Sequence, residues 1–257
     1  MSQTVFNRYE KKYLIPEPIY LELRHRLAEH MTEDSYGLHT ICNIYYDTPD
    51  DLLIRRSIER PKYKEKLRLR SYGVPNLEST VFLEIKKKHQ KIVNKRRIEL
   101  TLGEAYDYIE QGIRPKKDCQ ILKEIDFFLE RYPLRQSIYI AYDRIALFGK
   151  EDPEFRITFD RKIRYRRINV GPENGDFGKL LLPEGWYLME SKIQNATPMW
   201  FAKLLAELNI YATSFSKYGN IYKKERSAWD LSNFMQHRIE NWKNFMNTNN
   251  SLRRKLI

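Results

Sequence analysis

The residues whose types and spacing suit chemistry are concentrated between Lys62 and Arg97. This stretch holds twelve Lys or Arg against three Asp or Glu, a local net of +9 in a chain whose formal net charge is +12. Side chains alternate faces along a β-strand, so residues two apart point the same way. Lys64, Lys66, Arg68 and Arg70 then share one face, with Leu67 and Leu69 on the other. Glu84, Lys86 and Lys88 oppose Val81, Leu83 and Ile85, while Lys95, Arg97 and Glu99 oppose Arg96, Ile98 and Leu100. Three neighbouring strands are predicted, each with an apolar face and a cationic face carrying an occasional carboxylate.

An antiparallel sheet with its polar face in water accounts for any one of these strands. The shared sign of all three asks for more, because like charges on adjacent strands repel. A face that collects them needs wide exposure to water or an anion, and we read it as a polyanion-binding surface. Arg and Lys match phosphate oxygens, and Arg binds them bidentately.

The elements that must position this face follow in chain order. Residues 5–15 alternate, with Arg8, Glu10 and Lys12 on one face, and Pro16 and Pro18 end the strand. A helical period runs from Ile19 to about His30, and residues 41–46 are β-rich before the turn Asp47-Thr-Pro-Asp50. Thr101 with Glu104 predicts a capping box for a helix over about 102–111 that Gly112 closes. Asp118 is placed to cap a second helix, with Leu122, Ile125 and Phe128 on its apolar stripe. Strands return over 138–148, 155–163 and 186–193, separated by a Gly- and Pro-rich loop over 171–185, and a helix follows over 198–208. The tail carries Leu231, Met235, Trp242 and Phe245 at helical spacing, predicting a helix that packs on the rest or on a partner chain.

Composition bounds the alternatives. A chain of 257 residues with 42% hydrophobic content buries a sizeable core. A mean hydropathy of −0.67 with no long apolar run predicts no membrane span. The first residues lack the apolar core of a signal peptide, and Cys42 and Cys119 form no CxxC pair, so a reducing cytoplasm is expected. The pI near 9.5 favours an acidic partner without choosing among nucleic acid, anionic lipid and phosphate-rich molecules. There is no HExxH, no GxxxxGK[ST] loop and no GxSxG elbow.

Closing such a sheet with its polar faces inward would line one cavity with the cations already named, together with Arg144, Arg156 and Lys192 and the carboxylates Glu10, Glu84 and Glu190. A cavity of that kind needs water and a multivalent anion, since isolated buried charges are costly. Its few carboxylates suit a hard cation bridging phosphate oxygens. Together these parts fit phosphoryl transfer, which depends on positioning and charge stabilisation.

Seven short motifs, in order, carry a family resemblance: Arg8-x-Glu10-x-Lys12, Leu67-Arg-Leu-Arg70-x-Tyr72-Gly73, Phe82-Leu-Glu-Ile-Lys86-x-x-His89, Tyr142-Asp-Arg144, Arg156-Ile-Thr-Phe-Asp160, Leu188-Met-Glu190-Ser-Lys192 and Ser214-Phe-Ser-Lys217-Tyr218. Over about residues 4–225 the chain resembles the VTC domain, the catalytic domain of polyphosphate polymerases in the triphosphate tunnel metalloenzyme superfamily. The resemblance implies an α+β fold, an eight-stranded antiparallel β-barrel (the triphosphate tunnel) with helices packed around it. It implies a tunnel domain over 1–225 and leaves a helical tail over 226–257.

The implied activity is transfer of the γ-phosphate of ATP onto a growing polyphosphate chain, with Mn²⁺ or Mg²⁺. By resemblance, Lys12, Arg68, Arg70, Lys86, Tyr142, Arg144, Arg156, Lys192 and Lys217 bind the triphosphate or polyphosphate, joined by Lys95 or Arg97. Glu190, assisted by Glu10, holds the metal; Lys12, Arg68, Arg70, Lys86, Arg144 and Glu190 are the catalytic set. One departure stands out: Arg8 replaces the first Glu of the superfamily's Glu-x-Glu-x-Lys strand, which weakens a metal site and leaves a more cationic tunnel. Two alternatives stay open, a triphosphatase of the same fold with water as acceptor and a non-catalytic polyanion-binding module. The carboxylates Glu10, Glu84 and Glu190 argue against the module, and against nucleic acid as the ligand.

Overall fold

The computed structural model describes residues 9–59, 61–89, 92–194 and 196–228. Arg8 and the expected tail from 229 onward lie outside them. The chain divides into two compact units, one ending at Lys217 and one beginning at Tyr218. Within the second, residues 218–228 are helical. Every strand belongs to the first.

Eight strands form one antiparallel path. In chain order they are β1 (Tyr9–Pro16), β3 (His39–Asp47), β4 (Tyr63–Tyr72), β5 (Thr80–His89), β6 (Ile92–Thr101), β7 (Arg135–Gly149), β8 (Arg156–Arg166) and β10 (Trp186–Ile193). The spatial order is β1-β10-β8-β7-β3-β4-β5-β6. Two short strands, β2 (Met31–Glu33) and β9 (Lys179–Leu180), pair with β7 and β8. The sheet is not closed by strand pairing, because β1 and β6 are not hydrogen-bonded neighbours among the described residues. It nevertheless curls: Arg70 on β4 reaches the Tyr142 hydroxyl on β7 across β3 at 3.2 Å, and Arg144 on β7 reaches Glu190 on β10 across β8 at 4.0 Å.

Alternation sorts the two faces. Leu67 and Leu69 are fully buried on the outer side of β4, as are Leu83 and Ile85 on β5, while Lys66, Arg68, Glu84 and Lys86 take the inner side. The outer face is covered by two groups of helices. Helices α1 (Glu17–Leu27) and α5 (Met199–Glu207) contribute Leu23, Leu27, Phe201 and Leu204 to a core with Ile157 and Phe159 of β8. Helices α3 (Leu102–Glu110) and α4 (Gln120–Arg131) contribute Ala105, Tyr108, Leu122 and Phe128 to a second core over β4, β5 and β6. The apolar stripe expected of α4, Leu122, Ile125 and Phe128, is the one that packs.

Local signals held unevenly. The Thr101–Glu104 capping box forms, with the Glu104 N–H donating to Oγ1 at 3.1 Å and Thr101 N–H to the Glu104 carboxylate at 2.9 Å. Asp118 is not the cap of α4: the N-cap position is Cys119, and Asp118 instead pairs with Arg114 at 3.5 Å and Lys123 at 3.8 Å. Pro18 does not end the first strand; it sits in the first turn of α1, where no helical N–H is lost. Helix α2 (Leu52–Ile58) has no counterpart in the sequence reading. Seven residues give too short an apolar period to see, and its N-terminus is set by the buried Asp47 carboxylate, which accepts from the N–H groups of Leu53 and Ile54 at 2.8 and 3.0 Å.

The outer core makes a direct prediction. Leu83 on β5 is fully buried against the second helix group. Leu83→Ala is expected to cost about 3 kcal/mol, read as a lower urea midpoint at unchanged slope.

Candidate active site

The inner face is built around three buried carboxylates that each clamp more than one cation. Glu84 on β5 lies opposite Arg68 on β4 and Arg97 on β6. Its Oε2 accepts from Arg68 Nε at 2.8 Å and from a second nitrogen of that guanidinium, and Lys95 Nζ stands 2.7 Å from Oε1. Burial alone would raise the Glu84 carboxyl, but Arg68, Arg70 and Lys95 outweigh it and bring it down to about 2.

Asp160 on β8 has no solvent exposure. It takes both arms of Arg144, at 2.6 and 2.8 Å, and the ammonium of Lys217 at 2.5 Å. Glu190 on β10 receives Lys217 and Lys12, each at 3.4 Å, with Arg144 at 4.0 Å. Burial opposes ionisation of Glu190, and Lys217, Lys12, Arg144 and Lys192 together hold it well below the usual carboxylate range. Lys217 reaches this centre because the chain after α5 returns along the free edge of β1, where Thr213 N–H donates to the Lys12 carbonyl at 2.7 Å. Burial lowers Lys217, but Asp160 and Glu190 raise it overall, so it stays charged.

Two tyrosines complete the lining. The Tyr142 hydroxyl accepts from Arg70 at 3.2 Å, and Lys217 lies over its ring, 4.3 Å from the centroid. Burial pushes its phenol up, but Arg70, Arg144 and Lys217 bring it below the usual tyrosine value. Tyr45 accepts from Arg68 at 3.2 Å, and Arg68 offsets burial there in the same way. Arg70 is fixed from behind by the side-chain amide oxygen of Asn43, which accepts from Arg70 Nε at 3.0 Å.

After these pairings, cations are left over. Lys66, Lys86 and Lys192 point to the same face without a hydrogen bond or ion pair to any other described residue. Burial, then the charges of Lys64, Lys86 and Lys12, bring Lys66 down to about 8, with Tyr45 pulling the other way. Burial also lowers Lys192 against the pull of Glu10 and Glu190. A same-sign surplus that the protein leaves unmatched is the arrangement a multivalent anion would complete.

The residues singled out from sequence fall into two sets. Lys12, Arg68, Arg70, Tyr142, Arg144, Glu190, Lys192 and Lys217 converge, with Lys86 and Lys95 along the β5–β6 flank. Arg156 and Arg97 share the face but stand at its margins. Arg156 pairs with Glu154 at 3.3 Å and covers Phe148, and exposed Arg97 lies over Phe82. Sequence reasoning put Lys66 on the polyanion-binding face without naming it among the site residues, and gave no role to Asp160 or Tyr45. Asp160 and Lys66 share strand parity with Arg156 and Arg68, a signal that was present; Tyr45 depends on the β3–β4 register.

A metal was expected at Glu190 and Glu10. Among the described residues no three His, Cys, Asp or Glu side chains gather into a ready site. The two carboxylates do converge on one cation: Lys12 Nζ stands 3.3 Å from Glu10 Oε1 and 3.4 Å from Glu190 Oε1. Two carboxylate oxygens around a common positive charge fit a hard divalent ion, provided other oxygen ligands complete its shell.

Comparison with known proteins agrees with this geometry. The family model described as the VTC domain matches residues 7–225. No curated protein sequence matches the chain. Among solved structures, a candidate adenylate cyclase from Bacillus halodurans is similar at a TM-score of 0.51 and 15% identity, over 80% of this chain and 92% of that one. A candidate adenylyl cyclase from Hippeastrum, described as having a dominant triphosphatase activity, is similar at a TM-score of 0.50 and 14% identity, over 84% of this chain and 95% of that one. At these identities the likeness is one of fold. No helix among the described residues is long and apolar enough to cross a membrane.

Lys66 makes the face pH-sensitive, together with Lys95, which burial also brings down to about 8 against the pull of Glu84. An anion favours the charged form of both, so binding takes up protons once the pH exceeds about 8. Affinity for inorganic triphosphate, measured by calorimetry, is expected to fall as pH rises from 8 to 10, and Lys66→Arg is expected to flatten that fall. An unchanged slope in Lys66→Arg would contradict the assignment.

Proposed function

Because the chain belongs to the VTC domain family, we propose that it is a polyphosphate polymerase that moves the γ-phosphate of ATP onto a growing polyphosphate chain. The observation that carries the reading is the set of cations fixed by buried carboxylates on one curled face, with Lys66, Lys86 and Lys192 left to neutralise a substrate. The acceptor's terminal phosphate oxygen is already anionic and needs no general base. It attacks the γ-phosphorus as the bond to the β–γ bridging oxygen breaks, and ADP leaves. Arg68, Arg70 and Arg144 hold phosphate oxygens and stabilise the charge developing on the transferred group, with Lys12, Lys86 and Lys217 beside them. Their geometry exists before substrate arrives, since Glu84 and Asp160 orient the guanidiniums. Lys192, Lys95, Arg97 and Arg156 extend the cationic track for the longer chain, and Tyr142 keeps Arg70 and Lys217 in place.

Glu190 and Glu10 would hold Mn²⁺ or Mg²⁺ together with phosphate oxygens. Bound there, the ion supplies further neutralisation of the phosphate charge. Lys12, which stands between the two carboxylates, would then be released to hold phosphate oxygens.

Purified protein incubated with ATP and Mn²⁺ or Mg²⁺ is expected to give ADP and a ladder of polyphosphate on a gel. Glu190→Gln is expected to lower turnover by roughly 100-fold while retaining triphosphate binding, and Arg68→Ala to weaken both. Free phosphate without chains would make water the acceptor and the protein a triphosphatase. Full turnover in Glu190→Gln would remove that carboxylate from the reaction.

A further inference from the structure

At one end of the cationic face the lining changes from charged to aromatic. His39 is the strand partner of Arg144, Phe82 is the partner of Arg70, and Tyr72 follows Arg70 by two residues on β4. These three therefore continue the face that carries the triphosphate cations. Their rings form a chain with Tyr36: Tyr36 to His39 at 6.1 Å, His39 to Tyr72 at 5.9 Å and Tyr72 to Phe82 at 5.8 Å. The outer contacts are edge-to-face, at 67° and 82°, and the middle one is tilted at 50°. Tyr36 and Tyr72 are 80% and 52% exposed, while Phe82 carries Arg97 over one face and backs the rim. The opposite end of the β4–β5 pair carries Lys64, Lys66, Lys86 and Lys88 instead. The two ends thus differ in chemistry, one suited to a flat aromatic group and the other to more phosphate.

We infer that the Tyr36–His39–Tyr72–Phe82 rim is a stacking site for the base of a nucleoside triphosphate whose phosphates lie on Arg70 and Arg144. This rests on the triphosphate-binding reading of the face. The occupant follows from the juxtaposition: a ligand with a planar π-system at one end and a triphosphate at the other matches both parts at once. Stacking accepts any base, because every base has a π-face. The rim therefore favours nucleoside triphosphates over inorganic triphosphate without choosing strongly among bases.

The test is competition binding of ATP, GTP and inorganic triphosphate to the full chain, without turnover, in wild type, Tyr72→Ala, Tyr36→Ala and Tyr72→Trp. Both tyrosines are exposed, so the substitutions leave the core untouched. Tyr72→Ala and Tyr36→Ala are expected to weaken ATP and GTP by about 5- to 10-fold and to leave inorganic triphosphate within about 2-fold. Tyr72→Trp is expected to keep ATP at least as tight as wild type. ATP affinity unchanged in both alanine variants, or all three ligands weakened alike, would overturn the stacking site. Failure of inorganic triphosphate to bind wild type would overturn the phosphate reading itself, and this inference with it.

Discussion

The structure depends on holding like charges together. Cations on adjacent strands repel, and a sheet that gathers them on one curled face does so against that repulsion. Glu84, Asp160 and Glu190 make it possible. Each is buried, each clamps two or more cations, and each is kept ionised by those cations against the burial that would protonate it. A buried carboxylate with one partner would gain little over a hydrophobic pair. Here the gain is orientation: the guanidiniums of Arg68 and Arg144 are fixed from behind and present their remaining donors inward.

The apolar half of each strand carries the opposing stability. The same alternation that points Arg68 inward points Leu67 and Leu69 outward, where the helices cover them. The outer layers therefore fix the register that the inner face needs. A one-residue slip would exchange the two faces and bury the cations against Phe128 and Leu122. Folding and charge placement are thus one constraint seen from two sides of the sheet.

Most of this was legible in the sequence, for a physical reason. Strand alternation is a period of two, and Lys64 to Arg70, Glu84 to Lys88 and Leu188 to Lys192 show it without ambiguity, so the strands and the facing of Arg68, Glu84 and Glu190 could be read directly. The family resemblance added Lys217, which lies far from the strands in sequence. Its place became clear only with the return of residues 209–216 along β1. Features set by tertiary contacts were not legible: α2 needs the buried Asp47, Asp118 lost its cap to an ion pair, and the clamp of Asp160 on Arg144 needs the β7–β8 register. The open β1 and β6 edges also could not be inferred from strands counted one by one.

The central claim is that the unmatched cations of the curled face receive a linear chain of phosphates. A crystal structure with inorganic triphosphate tests it most directly. The account predicts phosphate oxygens on this face within about 3 Å of the ammonium groups of Lys66, Lys86 or Lys192 and of the free donors of Arg68, Arg70 and Arg144. Triphosphate bound on the helical side, with those lysines still facing water, would contradict it.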